Sequence, residues 1–383
     1  MTDFNRPLRS PLAIAQRPPR QTKYAAPPEV LWYSRCPVPT PLGMAVRMGW
    51  LEQEFRRDII RLQAVPDDLE YNASVSYEEH HLYGSFRQGN NTAALWAKAW
   101  GADTLLVGLN WLDEAQLLLV REDSAIQSLA DLAGKKLALP VSMRRIDAAR
   151  ASTMRGFTNI LALAGVAESA VQFVDIEFAA IIGREFDEPV SAGYARLAEA
   201  LQTGRVDAIF VKGAKGVELA AQPGFRQLYD LRQHPDPLVR ANNSAPRPIT
   251  VDAALWREHP QLVLRFLNRV LQVDDFARAH PDATAEYVAE ESRSTVHWVR
   301  QAYGDDLHLK QNISLDPIAL SALSHYKDFL FSRGFIPANF DLDHWVEPLP
   351  LRILQAERER RVATQLAAQR QTPSYQDAVA SLW

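Results

Sequence analysis

From residue 28 onward the chain alternates between two periodicities. Runs that read as strands are "VLWYS" from Val30, "LEYNASVSY" from Leu69, "DTLLVGLNW" from Asp103 and "AQLLLVRED" from Ala115. "KKLAL" from Lys135, "AVQFVDIE" from Ala170 and "VDAIFV" from Val206 continue the series. Between them lie helix-spaced segments: "PLGMAVRMGWLEQEF" from Pro41, "NNTAALWAKAWG" closed by Gly101, "SLADLAG", "ARASTMRGFTNILALAGV" and "YARLAEALQTGR". Strands interleaved with helices predict an α/β protein with mainly parallel sheets. After residue 254 the strands stop, and four helix-like segments follow, the last ending at Gly334. The tail "LQAERERRVATQLAAQR" reads as a charged helix with a thin apolar stripe, a solvated or partner-packing extension.

At 383 residues the chain exceeds one comfortable core, so about two domains are expected. A net charge of −4 gives no reason to expect a nucleic-acid partner, which would want a basic face. No run approaches the roughly 20 apolar residues of a membrane span. The first 27 residues are proline-rich, and their longest apolar run, "LAIA", is too short for a secretory core. A flexible, retained N-terminus and a cytoplasmic protein are therefore expected, acting on a small molecule, without nucleic acid or membrane, and as a monomer.

Three loops that follow strands and precede helices carry candidate chemistry. The chain's one cysteine, Cys36, stands at the end of "VLWYS" in "YSRCPVPTPLG", among Pro37, Pro39 and Pro41. Ligands of open α/β sheets bind beyond the carboxyl ends of strands, and a following helix stabilises a thiolate. A buried small hydrophobe is the plainer reading of a lone cysteine. In "SYEEHHLYGSFRQGNNTAALW", Arg87 and Gly89 precede a helix start that Asn90, Asn91 or Thr92 can cap, a cradle for an anion. An arginine is more often simply a surface residue. His80 and His81 could supply a base or a hydrogen bond that tunes Cys36; they could equally be loop histidines. "EEHH" lacks the i,i+4 spacing of a helical zinc site, so no metal is expected. Arg144 and Arg145, in "PVSMRRIDAARAS", could add positive charge or lie on an exposed loop.

"VREDSAIQSLADLAGKKLALP" and "LAEALQTGRVDAIFVKGAKGVELAAQPGFRQLYDL" resemble the nitrate/sulfonate/taurine periplasmic binding proteins. The resemblance implies a two-lobed, type II binding-protein-like α/β fold with ligand between the lobes. The alternation of strands and helices changes character near "LLLVRED" and "RPITVDAALW", so lobe 1 is expected at 28–118 and 249–350, lobe 2 at 119–248, and the helical C-terminal extension at 351–383. Within that superfamily, Tyr33-Ser34-Arg35-Cys36-Pro37-Val38-Pro39 is similar to the Tyr-Ser-x-Cys-Pro-Val-Pro motif of the aryl-sulfinate desulfinases. "LDPIALSALSHYKDFLFSRGFI" and "DLDHWVEP" are similar as well.

That likeness implies a cofactor-free cleavage of a C–S bond that releases sulfite, with Cys36 as the active thiol. Arg87-Gln88-Gly89-Asn90 takes the place of the family's sulfinate-binding Arg-Phe-Gly-Gly run. Ser34, Asn90 and Arg145 join Arg87 and Gly89 in the expected substrate-binding set. The family's active-site histidine falls at Tyr77, so His80 or His81 would have to serve instead. Cys36 acts either as a thiolate attacking sulfur or as a thiol protonating the ring carbon. The alternative is a non-catalytic solute-binding protein for sulfonate-, nitrate- or taurine-type anions.

Overall fold

The computed structural model describes residues 26–35, 39–65, 80–142, 146–177 and 190–371. The extension before residue 26, the strand expected from Leu69, and Cys36, Tyr77, Arg144 and Arg145 lie outside the described residues. Among those described, ten strands form two five-stranded sheets. The first holds β1 (Val30–Arg35), β2 (Arg61–Ala64), β3 (Ser85–Gln88), β4 (Thr104–Asn110) and β10 (Arg247–Asp252), in the order β2-β1-β3-β10-β4. The second holds β5 (Gln116–Arg121), β6 (Lys136–Val141), β7 (Gln172–Glu177), β8 (Ala208–Lys212) and β9 (Phe225–Asp230), in the order β7-β6-β8-β5-β9.

Both sheets are mixed, which corrects the expectation of mainly parallel pairing. β1 runs parallel to β2 and β3, and β6 to β7 and β8. β10 is antiparallel to β3 and β4, and β5 to β8 and β9. A strand–helix–strand unit brings the chain back in the same direction. β5 and β10 instead enter from the other sheet, over 111–115 and 231–246, and so run against their new neighbours. The crossings also move the expected boundaries: 118/119 falls inside β5 and 248/249 inside β10. An apolar run such as "LLLVR" does not mark which sheet receives it.

The helices are α1 (Pro41–Arg47), α2 (Trp50–Phe55), α3 (Asn91–Ala99), α4 (Ala148–Ala164), α5 (Val190–Gln202) and α6 (Gly213–Ala220). There follow α7 (Pro237–Arg240), α8 (Ala253–Glu258), α9 (Pro260–Ala279), α10 (Pro281–Glu291), α11 (Val296–Tyr303), α12 (Pro317–Ser332) and α13 (Leu349–Gln371). The one helix expected from Pro41 is two, broken at Gly49, whose φ of +70° is cheap for glycine alone. Prolines open α9, α10 and α12, where a missing N–H costs nothing.

Two apolar layers each draw on both sheets. One packs Leu31, Val107 and Ile249 with Leu117 and Ile209, and Phe266 of α9 stacks on Phe86 with centroids 3.6 Å apart. The other packs Leu106 and Leu109 with Leu118, Leu137 and Phe210 under α3, α4 and α12. Trp345 is fully buried there, its Nε1 donating to Thr104 Oγ1 at 3.1 Å. Burying each such side chain contributes roughly 1.5–3 kcal/mol. The C-terminal helix is not all extension: it begins at Leu349, and Leu351 and Leu354 are buried in the first layer. No helix among the described residues is long and apolar enough to cross a membrane.

Candidate active site

β1 and β3 end side by side, with Ser34 opposite Arg87 and Arg35 opposite Gln88. Cys36 is the next residue after β1 and lies outside the described residues. The chain resumes at Pro39, and Thr40 caps α1 by accepting the Gly43 amide at 3.0 Å. Arg87 was expected on the loop before α3; it is instead the penultimate residue of β3, with Gly89 and Asn90 left to make the turn. The local reason is that "SFRQ" pairs on both sides, with β1 and with β10.

Ser34, Arg87 and Thr250 occupy one cross-strand row, so their side chains share a sheet face. All three are buried. His80 joins them: its Nδ1 lies 3.2 Å from Thr250 Oγ1, and its Nε2 is buried with no partner among the described residues. His80 also takes a left-handed φ of +54°, uncommon for a side-chain-bearing residue. His81, one residue on, is exposed. The structure therefore brings His80 to Arg87 and leaves His81 at the surface.

Burial, followed by the Arg87 cation, pushes the His80 pKa down to about 3. A neutral imidazole of such low basicity is a hydrogen-bonding group near neutrality rather than a matched general base. It also has a consequence for stability. The unfolded chain takes up a proton near pH 6.5 that the folded chain refuses until about pH 3. Stability therefore falls as the pH is lowered across that window, by up to about 1.4 kcal/mol per unit from this group. In His80→Gln the acid-side decline in melting temperature between pH 7 and pH 4.5 should shrink measurably. An unchanged decline would show that other groups carry it.

The β3–α3 turn is tied to the returning crossing segment. Gly89 is buried, and Asn90 Oδ1 accepts the Ala93 amide at 3.4 Å as the cap of α3. Its Oδ1 is thus turned to its own helix. Asn91 is the tie: its Nδ2 donates to the carbonyls of Asn242 and Pro246, and its amide to the Asn243 carbonyl.

Sequence reasoning missed a buried charged cluster at the two crossings. Lys212 Nζ donates to Glu114 Oε1 at 2.7 Å, to Ser244 Oγ at 3.1 Å, and to Asn243 Oδ1. Burial alone would raise the Glu114 pKa, but the Lys212 and Arg247 cations outweigh it and hold the carboxyl below its usual range. Arg247 itself is fully buried on β10. The available signal was an arginine between two prolines, in "SAPRPITV", inside an otherwise apolar strand.

Two mixed sheets joined by two crossing segments give the fold shared by two-lobed sulfonate-binding proteins. The periplasmic aliphatic sulphonate binding protein SsuA of Escherichia coli matches with a TM-score of 0.60 at 17% identity, over 84% of this chain and 93% of that one. A nearer likeness is to an enzyme. The chain resembles 2'-hydroxybiphenyl-2-sulfinate desulfinase of Rhodococcus erythropolis, at 26% identity over 356 residues, 84% of this chain and 92% of the relative. A solved structure of the desulfurization enzyme DszB matches with a TM-score of 0.67 at 25% identity, over 86% of this chain and 99% of that one. A mutant of that enzyme in complex with biphenyl-2-sulfinic acid gives 0.69 at 23%, with the same coverage. No protein-family model matches the chain.

Proposed function

We propose that the protein is a cysteine-dependent desulfinase that needs no cofactor and cleaves the C–S bond of an aromatic sulfinate. The balanced reaction is a hydrolysis: an aryl sulfinate anion and water give the arene and hydrogen sulfite. The observation that carries this reading is similarity over 84% of the chain to a sulfinate desulfinase, joined to a single cysteine directly after β1. A transport protein has no need of a thiol there.

Each sheet with its helices forms one lobe, and the substrate lies between them. Arg87 supplies positive charge to the sulfinate, and the Gly89 amide, at the end of the same strand, hydrogen-bonds an oxygen. Ser34 lies in the Arg87 row and completes that side; Arg145 adds charge from the second lobe. His80 holds Thr250 and stays neutral, so it is not the proton donor.

Cys36 works by one of two routes. In the first, its thiolate bonds to sulfur, the aryl carbon leaves with the C–S electron pair and takes a proton from water, and the hydroxide so formed releases hydrogen sulfite from the sulfur-bound cysteine and restores the thiolate. In the second, the thiol protonates the ring carbon bearing sulfur, the C–S pair passes to that proton's bond, and water captures the departing sulfur dioxide. Sulfite release from 2'-hydroxybiphenyl-2-sulfinate by the purified protein is the direct test. The likeness to sulfonate-binding proteins favours a second reading, a non-catalytic binder of small organosulfur anions. Tight sulfonate binding, with no sulfite formed from any aryl sulfinate, would establish that reading instead.

A further inference from the structure

β10 buries a charge that strands seldom bury. Arg247 is fully enclosed, and its Nη1 donates to the Pro39 carbonyl at 2.7 Å. Its Nε and Nη2 are buried with no partner among the described residues. Gln88 adds a third such donor. Ile249 pairs with Gln88, and Arg247 stands two residues before Ile249 on the same strand, so both side chains project from one face of the sheet. Gln88 Oε1 accepts the Leu42 amide at 2.8 Å. A backbone N–H can only donate, which fixes the orientation of the amide and leaves Nε2 as its unmet end. Both side chains thus grip the Pro39–Leu42 segment, which begins three residues after Cys36, and both hold unmet N–H groups beside it.

Buried donors without acceptors are costly, and folded proteins fill them with water or a ligand. The edge of Arg247 left open is Nε with Nη2, the fork that matches two oxygens of one oxyanion. The charges agree. Lys212 pairs directly with Glu114, the nearby carboxylate, so Arg247 leaves the cluster with one excess positive charge. Asn110, opposite Arg247 on β4, has an unbonded Oδ1, but its Nδ2 donates to the Lys310 and Asn312 carbonyls and the amide is not hydrogen-bonded to Arg247.

We infer that Arg247 and Gln88 form a second oxyanion-binding set for the reacting sulfur group, taking the sulfinate oxygens of the substrate and the sulfite that leaves. They project from the face of β3 opposite Arg87, so the two sets meet one sulfur group only where β3 ends, at the Gly89 turn. This inference rests on the desulfinase reading for its ligand, though not for the presence of an anion site.

The test is binding of benzenesulfinate and of inorganic sulfite to Cys36→Ser protein, with and without Arg247→Lys, followed by calorimetry. Lysine keeps the charge but loses the fork, so both anions should bind at least about tenfold more weakly, while the ligand-free melting temperature and circular dichroism report whether the fold is kept. As a check read at Arg247 itself, protein with 15N-labelled arginine should show a protected Nε–H signal, separate from that of Arg87, that shifts with either anion. That signal should be missing in Arg247→Lys. A shift with sulfite but no cleavage of any aryl sulfinate by the unmodified protein would keep the anion site and remove the desulfinase reading. Cleavage with no shift, or equal affinities in the Arg247→Lys protein, would mean that water alone fills these donors and would overturn the inference.

Discussion

Cys36→Ser protein should fold as the parent does and release sulfite from an aryl sulfinate at least roughly 10²–10⁴ times more slowly. Serine is nearly isosteric with cysteine, so packing after β1 changes little. Its hydroxyl, however, is a far weaker acid than a thiol and supplies almost no anion near neutrality. Either route through Cys36 therefore fails on this one substitution. The pH profile of the parent separates the routes. Attack by the thiolate gains rate as the thiol ionises, whereas donation from the thiol loses it. A trapped adduct of Cys36 with sulfur would select attack. Full sulfite release by Cys36→Ser would remove the cysteine from the chemistry.

The elements were legible wherever a buried strand met an amphipathic helix: β1, β4 to β8, α3 and α4 follow from the run of apolar residues. Strand direction was not, because direction depends on whether a strand is reached from its own sheet or by a crossing from the other, and "RPITV" looks the same either way. The candidate site was half legible for a similar reason. Arg87 stood out beside a glycine and a cap, and the likeness to a desulfinase motif pointed to it. Nothing in "EEHH" distinguishes His80, which reaches Thr250, from its exposed neighbour His81. That choice is made by a left-handed backbone turn and by a threonine 170 residues away. Arg247 and Glu114 were passed over for the opposite reason. Charged residues are normally read as surface, and only the crossing of the two segments buries them.

Arg87→Ala should weaken aryl-sulfinate binding by about 10- to 100-fold, since a hydrogen bond to a charged group is worth about 1.5–3 kcal/mol. The loss should fall on KM for substrate and on affinity for sulfite, and should exceed any loss for a neutral sulfone of the same shape. Arg87→Lys should recover part of it, because the charge returns without the planar fork. A second readout distinguishes this role from simple packing. The Arg87 cation is one cause of the low His80 pKa, after burial. Removing it lets that pKa climb from about 3 while burial still holds it under 6.5, so the pH window in which folding refuses the His80 proton narrows. Arg87→Ala should consequently lose less stability on acidification than the parent, even though it binds sulfinate less well. Loss of affinity with an unaltered acid profile would put Arg87 near the ligand but not against His80. Unaltered affinity for benzenesulfinate, 2'-hydroxybiphenyl-2-sulfinate and sulfite alike would remove Arg87 from the site.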